Sequence, residues 1–472
     1  MSDTVADRSA QAVATNPYVL DPSRVQAPPE NVAGMLRYIG PGFILSASIV
    51  GSGELIATTL VGAEAGFVLM WFIIFSCIVK VAVQLEFGKH AISSGESTMA
   101  SLNTLPGPVL GKANWSIWTW LILMIAKMMQ VGGIVGGVVL ALVQFIPALE
   151  TMPLRAIASY AVAISVSLLV FRGYYLLIEK ASLVMIGAFT IFTLCSLVAL
   201  QYTDMAIAGS DIWTGLIPSI PESALILVAI GAFGITGVGG DEIMAYNYWL
   251  IEKGYAAYTG PRDDSPEWES RAKGWIRVMY WDAILAMLAY TAMTVMFYLL
   301  GAAVLNRMDL IPEGKDLIAT LGNMYTASLG PWARGLFVIG AIVVLYSTLF
   351  AALAAWTRMF ADAFGRIGWY NFEDSEARGR AIAVAAWIIP TAWATLFLIM
   401  QNPAMMVIIG GLATVVILLI VVFAALHFRW NRLDARLRPS VAYDVWLYCS
   451  AAAIFLVALF VLYDKIYLPL AG

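Results

Sequence analysis

Residues 51–54 read Gly-Ser-Gly-Glu and residues 237–242 read Gly-Val-Gly-Gly-Asp-Glu, and each run interrupts the middle of a long apolar segment. A lone glycine is tolerated in a lipid-embedded helix, but a cluster frees backbone amides and carbonyls that lipid cannot satisfy. A helix interrupted in this way must line a polar cavity. Two segments broken at corresponding positions mark the substrate site of a secondary transporter, so both runs are read as unwound and facing each other near the bilayer midplane.

The composition around these runs admits one class. Of 472 residues, 61% are hydrophobic and 12% charged, and the mean hydropathy is +0.82, values that a soluble globular chain does not reach. The chain is therefore read as an all-α polytopic membrane protein. Eleven apolar stretches are each long enough to cross a hydrocarbon core of about 30 Å: roughly 38–62, 66–88, 113–145, 156–172, 182–202, 223–250, 279–303, 333–358, 382–400, 403–428 and 444–464. Residues 1–34 are polar, carry Pro17, Pro22, Pro28 and Pro29, and lack the basic start and short apolar core of a cleaved signal peptide. They are read as a disordered cytoplasmic tail. Residues 35–472 are read as a single transmembrane domain, because no stretch between the spans could bury a core of its own.

With the N-terminus inside, most of the 27 Lys and Arg residues fall on the cytoplasmic side. They include the clusters Arg358, Arg366, Arg378, Arg380 and Arg429, Arg432, Arg436, Arg438, and the assignment leaves Lys127 alone within the membrane. An odd number of spans places the C-terminus outside, and the expected location is a bacterial inner (plasma) membrane. Segments 1 and 6, which carry the two glycine runs, then cross the bilayer in opposite directions. That relation predicts a five-plus-five inverted repeat of the LeuT type, with segment 11 appended.

Gly40-Pro41-Gly42-Phe43 followed by Ser46 and a mid-helix interruption, the link from Phe171-Arg172-Gly173 to Ile178-Glu179-Lys180, and the eleven-helix layout resemble the Nramp family of proton-coupled divalent metal transporters. The likeness runs from about residue 38 to 428 and implies the LeuT-type fold and secondary transport. The family's Asp-Pro-Gly-Asn run in the first helix corresponds here to Gly51, Ser52, Gly53 and Glu54. Its Met-Pro-His in the sixth helix falls within Val238 to Asp241, with a one-residue ambiguity, and the acidic proton-path pair of its third helix corresponds to Lys127 and Gln130. The thioether and imidazole that suit manganese and iron are absent, as is the key aspartate. The resemblance is thus to a divergent branch, in which manganese and iron are not the expected substrates.

The candidate substrate-binding residues are Gly51, Ser52, Gly53, Glu54, Thr236, Gly237, Gly239, Gly240, Asp241 and Glu242. Glu54 follows the first break directly, at the start of a half-helix whose dipole favours a carboxylate and where Ser52 is placed to cap. It is either a helix-terminus carboxylate or a substrate or proton ligand. Asp241 and Glu242 open the second half of segment 6 in the same way, and two adjacent carboxylates at membrane depth suit reversible protonation. Lys127, near the middle of segment 3, is too deep for its stem to carry the charge to an interface. It must find a carboxylate, Glu54 or Asp241 or Glu242, or lose its proton and act as a titrating group itself. Its role is either a structural ion pair or that of a coupling or charge-balancing group, shared with Gln130 on the same helix face. If a metal is bound, Glu54 and Asp241 are its candidate ligands.

His90 and His427 fall at the ends of their segments and read as interfacial, and residues 253–273 read as a mixed-charge cytoplasmic lid. Cys77, Cys195 and Cys449, odd in number and set in apolar segments, read as packing residues. No nucleophile elbow, phosphate-binding loop, zinc pattern or redox motif occurs, so no enzymatic activity and no cofactor are expected. Carboxylates, hydroxyls and glycine carbonyls are oxygen ligands, which points to a hard divalent cation such as magnesium, with proton coupling. A small organic solute such as an amino acid or amine is the alternative, and a non-transporting sensor or scaffold a second. The expected partners are the small substrate and the lipid bilayer, without nucleic acid, in a monomer or weak homo-oligomer.

Overall fold

The structure, a computed structural model, describes residues 16–171, 175–219 and 223–463. Among them, nine helices are long and apolar enough to cross a membrane. The two remaining stretches expected to span are also helical. Residues 41–65 are divided among α1 (Pro41–Ile49), a π-helical segment (Val50–Thr58) and α2 (Thr59–Ala65). Residues 175–200 form one helix, which includes the apolar stretch Val184–Leu200. Residues 172–174 of the Phe171 to Lys180 link lie outside the described residues.

The chain continues through α3 (Met70–Ser94), α4 (Trp115–Val143), α5 (Met152–Phe171) and α6 (Tyr175–Leu200). The second half holds α7 (Ser223–Ile235), α8 (Gly240–Lys253), α9 (Pro266–Leu300), α10 (Ala333–Ile367), α11 (Ser375–Met400) and α12 (Pro403–His427). Beyond it lies α13 (Val441–Leu462). The residues buried inside each half are mostly apolar, and one continuous hydrophobic cluster runs from Met35 to Val461.

The start of α1 shows how sequence sets geometry. Pro41 occupies the first helical position, where its missing N–H costs nothing. The amides of Gly40 and Gly42 each donate to the Asp282 carboxylate of α9 at 2.7 Å. Tyr246 of α8 donates its hydroxyl to the same carboxylate at 2.8 Å. A Cβ on Gly42 would lie 2.8 Å from the Asp282 carbonyl, so the Gly-Pro-Gly run lets α1 start directly against α9.

The two glycine runs behave differently. Segment 6 is broken as expected: α7 stops at Ile235, residues 236–239 leave the helix, and α8 begins at Gly240. Gly237 takes φ +64°, a left-handed conformation that favours glycine. Segment 1 is not unwound. Val50–Thr58 stays helical with a wider π turn, and all nine of its residues are buried. The reason is local satisfaction: Thr58 donates its hydroxyl to the Gly53 carbonyl at 2.8 Å and Thr59 to that of Glu54 at 3.4 Å, so the looser turn leaves few groups bare. Gly51 and Gly53 serve close approach instead. A Cβ on Gly51 would meet Thr348 Oγ1 at 2.2 Å, and one on Gly53 would meet the Ile235 carbonyl at 2.7 Å.

The N-terminal stretch also departs from expectation. Residues 1–15 lie outside the described residues, but 16–34, read as part of a disordered tail, are packed on the bundle. Tyr18 donates to Glu252 at 2.6 Å, Gln26 N–H reaches the Tyr258 carbonyl at 3.0 Å, and a short helix spans Val32–Leu36. Aromatic contacts of Tyr18 with Tyr248 and Phe372 supply apolar burial that the composition of this stretch obscures. Residues 253–273 carry a short helix, Tyr255–Thr259, and the buried Trp268.

Small residues draw α7 onto α12. A Cβ on Gly234 would lie 2.1 Å from the Gly411 carbonyl, and one on Gly411 would lie 2.1 Å from the Gly231 carbonyl. Backbones this close gain dispersion contacts that side chains would prevent. Gly234→Ala is therefore expected to destabilise the protein by about 1–3 kcal/mol through overpacking against backbone. A melting temperature equal to that of the wild type would show that the two helices are free to separate.

Candidate functional site

The break in segment 6 is where buried charge collects. Four amides at the start of α8 lack helical acceptors and face the positive end of the helix dipole, a place suited to carboxylates. Asp241 and Glu242 occupy the first turn there. Asp241 Oδ1 lies 2.8 Å from the Lys127 ammonium of α4, and Asp241 Oδ2 accepts from the Trp356 indole of α10 at 3.0 Å. Lys127 also donates to Thr414 Oγ1 of α12 at 2.6 Å. The lysine is 1% exposed and the aspartate 3%. Of the three carboxylates considered as partners, Asp241 is the one that takes the ion pair.

Glu54 lies inside the π segment, not at the start of a half-helix, so it caps nothing. It is fully buried; its Oε1 accepts from Thr294 Oγ1 of α9 at 2.8 Å and from the Gly237 amide at 3.3 Å. That second bond ties the π segment to the break. Ser52 likewise is no cap. Its hydroxyl accepts from the Gln130 side-chain amide at 2.8 Å, which links α4 to the π segment.

Gly239 and Gly240 leave no room for side chains: a Cβ on Gly239 would lie 2.3 Å from Glu242 Oε2, and one on Gly240 would lie 2.8 Å from Ile417. Thr236 directs its carbonyl to Lys80 and its hydroxyl to Ser76, 3.0 Å away. Among the described residues, four buried oxygens around the break, Glu54 Oε2, Gln130 Oε1, Glu242 Oε2 and Asp241 Oδ1, have no hydrogen-bond partner, the last facing the Lys127 ammonium in its ion pair.

Lys80 is the residue that sequence reading missed. The stretch 66–88 includes it, yet the charge assignment leaves Lys127 as the single intramembrane cation; α3 (Met70–Ser94) places Lys80 well inside the helix, with no exposed surface. A signal was present: Lys80 is followed by Val-Ala-Val before the next polar residue, Gln84. The histidines lie away from the site. His90 is stacked on Phe428 and lies 2.8 Å from Ser101 Oγ, while His427 lies 2.9 Å from the Asn431 amide.

A small cavity lined by Ile44, Ser48, Asp241, Glu242, Trp249 and Trp356 reaches the start of α8. Its free volume of about 10 Å³ has room for one water at most. The site is thus closed on this side in the conformation observed. Among the described residues no group of three or more His, Cys, Asp and Glu is arranged as a metal cluster, so any bound cation must draw also on amide, hydroxyl or carbonyl oxygens.

A bundle of membrane-length helices, in which a glycine break and a π-helical segment meet around buried carboxylates and ammoniums, defines a LeuT-type secondary transporter and not an enzyme. The chain belongs to the Nramp, natural resistance-associated macrophage protein-like, family, whose model matches residues 42–464. It is 26% identical over 330 residues to an uncharacterized protein of Pasteurella multocida, covering 68% of this chain and 69% of that one. It is 26% identical over 317 residues to the divalent metal cation transporter MntH of Bacillus subtilis, covering 66% and 67%. Among solved structures, a mutant of the Eremococcus coleocola manganese transporter superposes with a TM-score of 0.64 at 14% identity, over 92% of this chain and 88% of that one. MhsT in complex with L-phenylalanine superposes with a TM-score of 0.57 at 16% identity, over 88% and 98%. These likenesses confirm the LeuT-type fold.

The Lys127 and Asp241 pair generates a test. Lys127→Ala strands a buried carboxylate and is expected to destabilise the protein by about 3–5 kcal/mol. Lys127→Ala combined with Asp241→Ala should recover much of that loss, because no unpaired charge remains. Melting temperatures of the purified variants read both effects, and a double variant no more stable than the single one would show that the two groups do not depend on each other.

Proposed function

We propose that this protein is a secondary-active transporter of a hard divalent cation, magnesium being the simplest case, with transport coupled to protons. The observation that carries the reading is the set of buried oxygens that, among the described residues, have neither a hydrogen bond nor an ion pair: Glu54 Oε2, Gln130 Oε1 and Glu242 Oε2, on the π segment, α4 and α8. A buried polar atom left unbonded calls for an explanation, and hard oxygen donors suit magnesium better than they suit a soft or borderline metal. The charges agree. Lys127 neutralises Asp241, which leaves Glu54 and Glu242 as the carboxylates around the break that make no salt bridge among the described residues. Two carboxylates balance one dication.

Glu54 and Glu242 are the assigned substrate ligands, with Gln130 and Ser52 beside them, and Asp241 is reassigned from metal ligand to counter-ion of Lys127. Family membership and the names of relatives such as MntH support a divalent cation over an organic solute. The N-terminus is assigned to the cytoplasm and the C-terminus to the outside of a bacterial inner membrane, on the asymmetry of Lys and Arg. The monomer is the assigned transport unit, because the site is built within one chain.

Uptake into proteoliposomes tests the reading. Magnesium uptake driven by an imposed pH gradient is expected in the wild type, with manganese competing no better than magnesium itself. Glu54→Gln and Glu242→Gln should each lower uptake about tenfold or more, the loss of at least 1.4 kcal/mol of ligand interaction. Tight, saturable manganese binding that disappears in Glu54→Gln would overturn the preference for a hard ion. Accumulation of an amino acid without any divalent cation would replace the proposal with the organic-solute reading.

A further inference from the structure

The C-terminal end of α7 carries a buried ammonium whose setting differs from that of Lys127. Lys80 has no exposed surface and makes no salt bridge among the described residues. Its Nζ donates to the Phe233 carbonyl at 2.6 Å and to the Thr236 carbonyl. Phe233 belongs to the last turn of α7, which ends at Ile235, and Thr236 is the first residue beyond it. Ser76, one turn earlier on α3, donates to the Phe233 carbonyl at 3.1 Å and lies 3.0 Å from Thr236 Oγ1. The ammonium therefore sits against two carbonyls, to which the Ser76 hydroxyl also bonds, and over the Phe233 ring.

The last carbonyls of any helix lack intrahelical donors and carry the negative end of its dipole, about half an elementary charge. At membrane depth no solvent satisfies them. In broken-helix transporters, unwound carbonyls and the C-terminal ends of half-helices are the groups that coordinate monovalent coupling ions. Here the same kind of group is filled by a charge attached to α3. An ammonium carries one positive charge, as Na⁺ or K⁺ does, and approaches oxygen at a similar distance.

We propose that Lys80 is a tethered monovalent cation: it fills a carbonyl-lined cation site at the end of α7, so the break is held without a dissolved alkali ion. Removal of the amine should convert that place into a binding site for a small monovalent cation, with the Phe233 and Thr236 carbonyls as its oxygen donors. The proposal concerns how the break is held and is independent of which substrate is carried.

The test uses the full-length purified protein and reads thermal stability, not transport. Melting temperatures of the wild type, Lys80→Ala, Lys80→Met and Lys80→Arg are compared in lithium, sodium, potassium and choline chloride at equal ionic strength. The wild type and Lys80→Arg should melt at the same temperature in all four salts. Lys80→Ala should melt lower in choline and regain several degrees, saturably, in one of the three alkali ions, because binding to the folded state alone stabilises it. Lys80→Met fills the space without charge and should stay low in every salt. A wild type that responds as Lys80→Ala does, or a monodisperse Lys80→Ala that responds to no ion, would overturn the proposal. So would failure to recover Lys80→Ala in folded form in any of the alkali salts, since the amine would then do more than a cation can.

Discussion

Every feature of the central region follows from one constraint: a helix interrupted inside a membrane exposes peptide groups and dipole ends that only protein can answer. The interruption at residues 236–239 creates two such ends of opposite sign. The carbonyl end of α7 meets the ammonium of Lys80, and the amide end of α8 holds the carboxylates of Asp241 and Glu242. A third contact, from the Gly237 amide to Glu54, answers the backbone between them. Once a charge is placed at each end, low dielectric forces further pairing. Lys127 and Trp356 converge on Asp241, and Thr414 on Lys127, drawing α4, α10 and α12 around α8.

The same constraint explains the glycines, which act in two ways. Gly237 supplies a backbone conformation, φ +64°, that a side chain would strain. Gly51, Gly53, Gly234 and Gly411 supply proximity, because a Cβ at any of them would collide with a neighbouring helix. Proximity matters here for electrostatic reasons as well as packing: the Glu54 carboxylate can reach the Gly237 amide only because the π segment lies against the end of α7 at Gly53. A wider separation would leave the Gly237 amide without this acceptor, in a medium that penalises an unpaired peptide group by several kcal/mol.

Hydropathy made the spanning stretches legible, since lipid leaves little choice of residue over a length of about 30 Å. The break in segment 6 was legible for the same kind of reason, three glycines within four positions being hard to keep helical. Segment 1 carries a similar signal and misleads, because a π turn can absorb glycines while threonine hydroxyls at 58 and 59 cover the loosened carbonyls. No pattern of residue types separates that outcome from unwinding. Lys127 was visible because nothing charged surrounds it, whereas Lys80, although inside the stretch 66–88, is followed within nine residues by Glu86 and Lys89 and so does not stand out as a lone charge. The order of residues 16–34 was hidden too, since it rests on long-range contacts such as Tyr18 to Glu252 that local polarity does not report.

Charge arithmetic then limits what the site can accept. Three buried carboxylates, Glu54, Asp241 and Glu242, surround the break with two buried ammoniums, Lys80 and Lys127. With Asp241 committed to Lys127 and Lys80 held by carbonyls, the fixed cations answer the helix end and one acid, and neither competes as a ligand for the remaining oxygens. Glu54 and Glu242 are left to answer something mobile. The three acids and two ammoniums sum to one net negative charge, so both remaining acids are free for a dication only to the extent that the carbonyl end of α7 offsets the charge of Lys80. A dication satisfies both acids at once, and protons satisfy them when the dication has left. On the proposed reading, Glu54 and Glu242 would carry either the dication or protons, and that alternation would couple ion movement to a proton gradient.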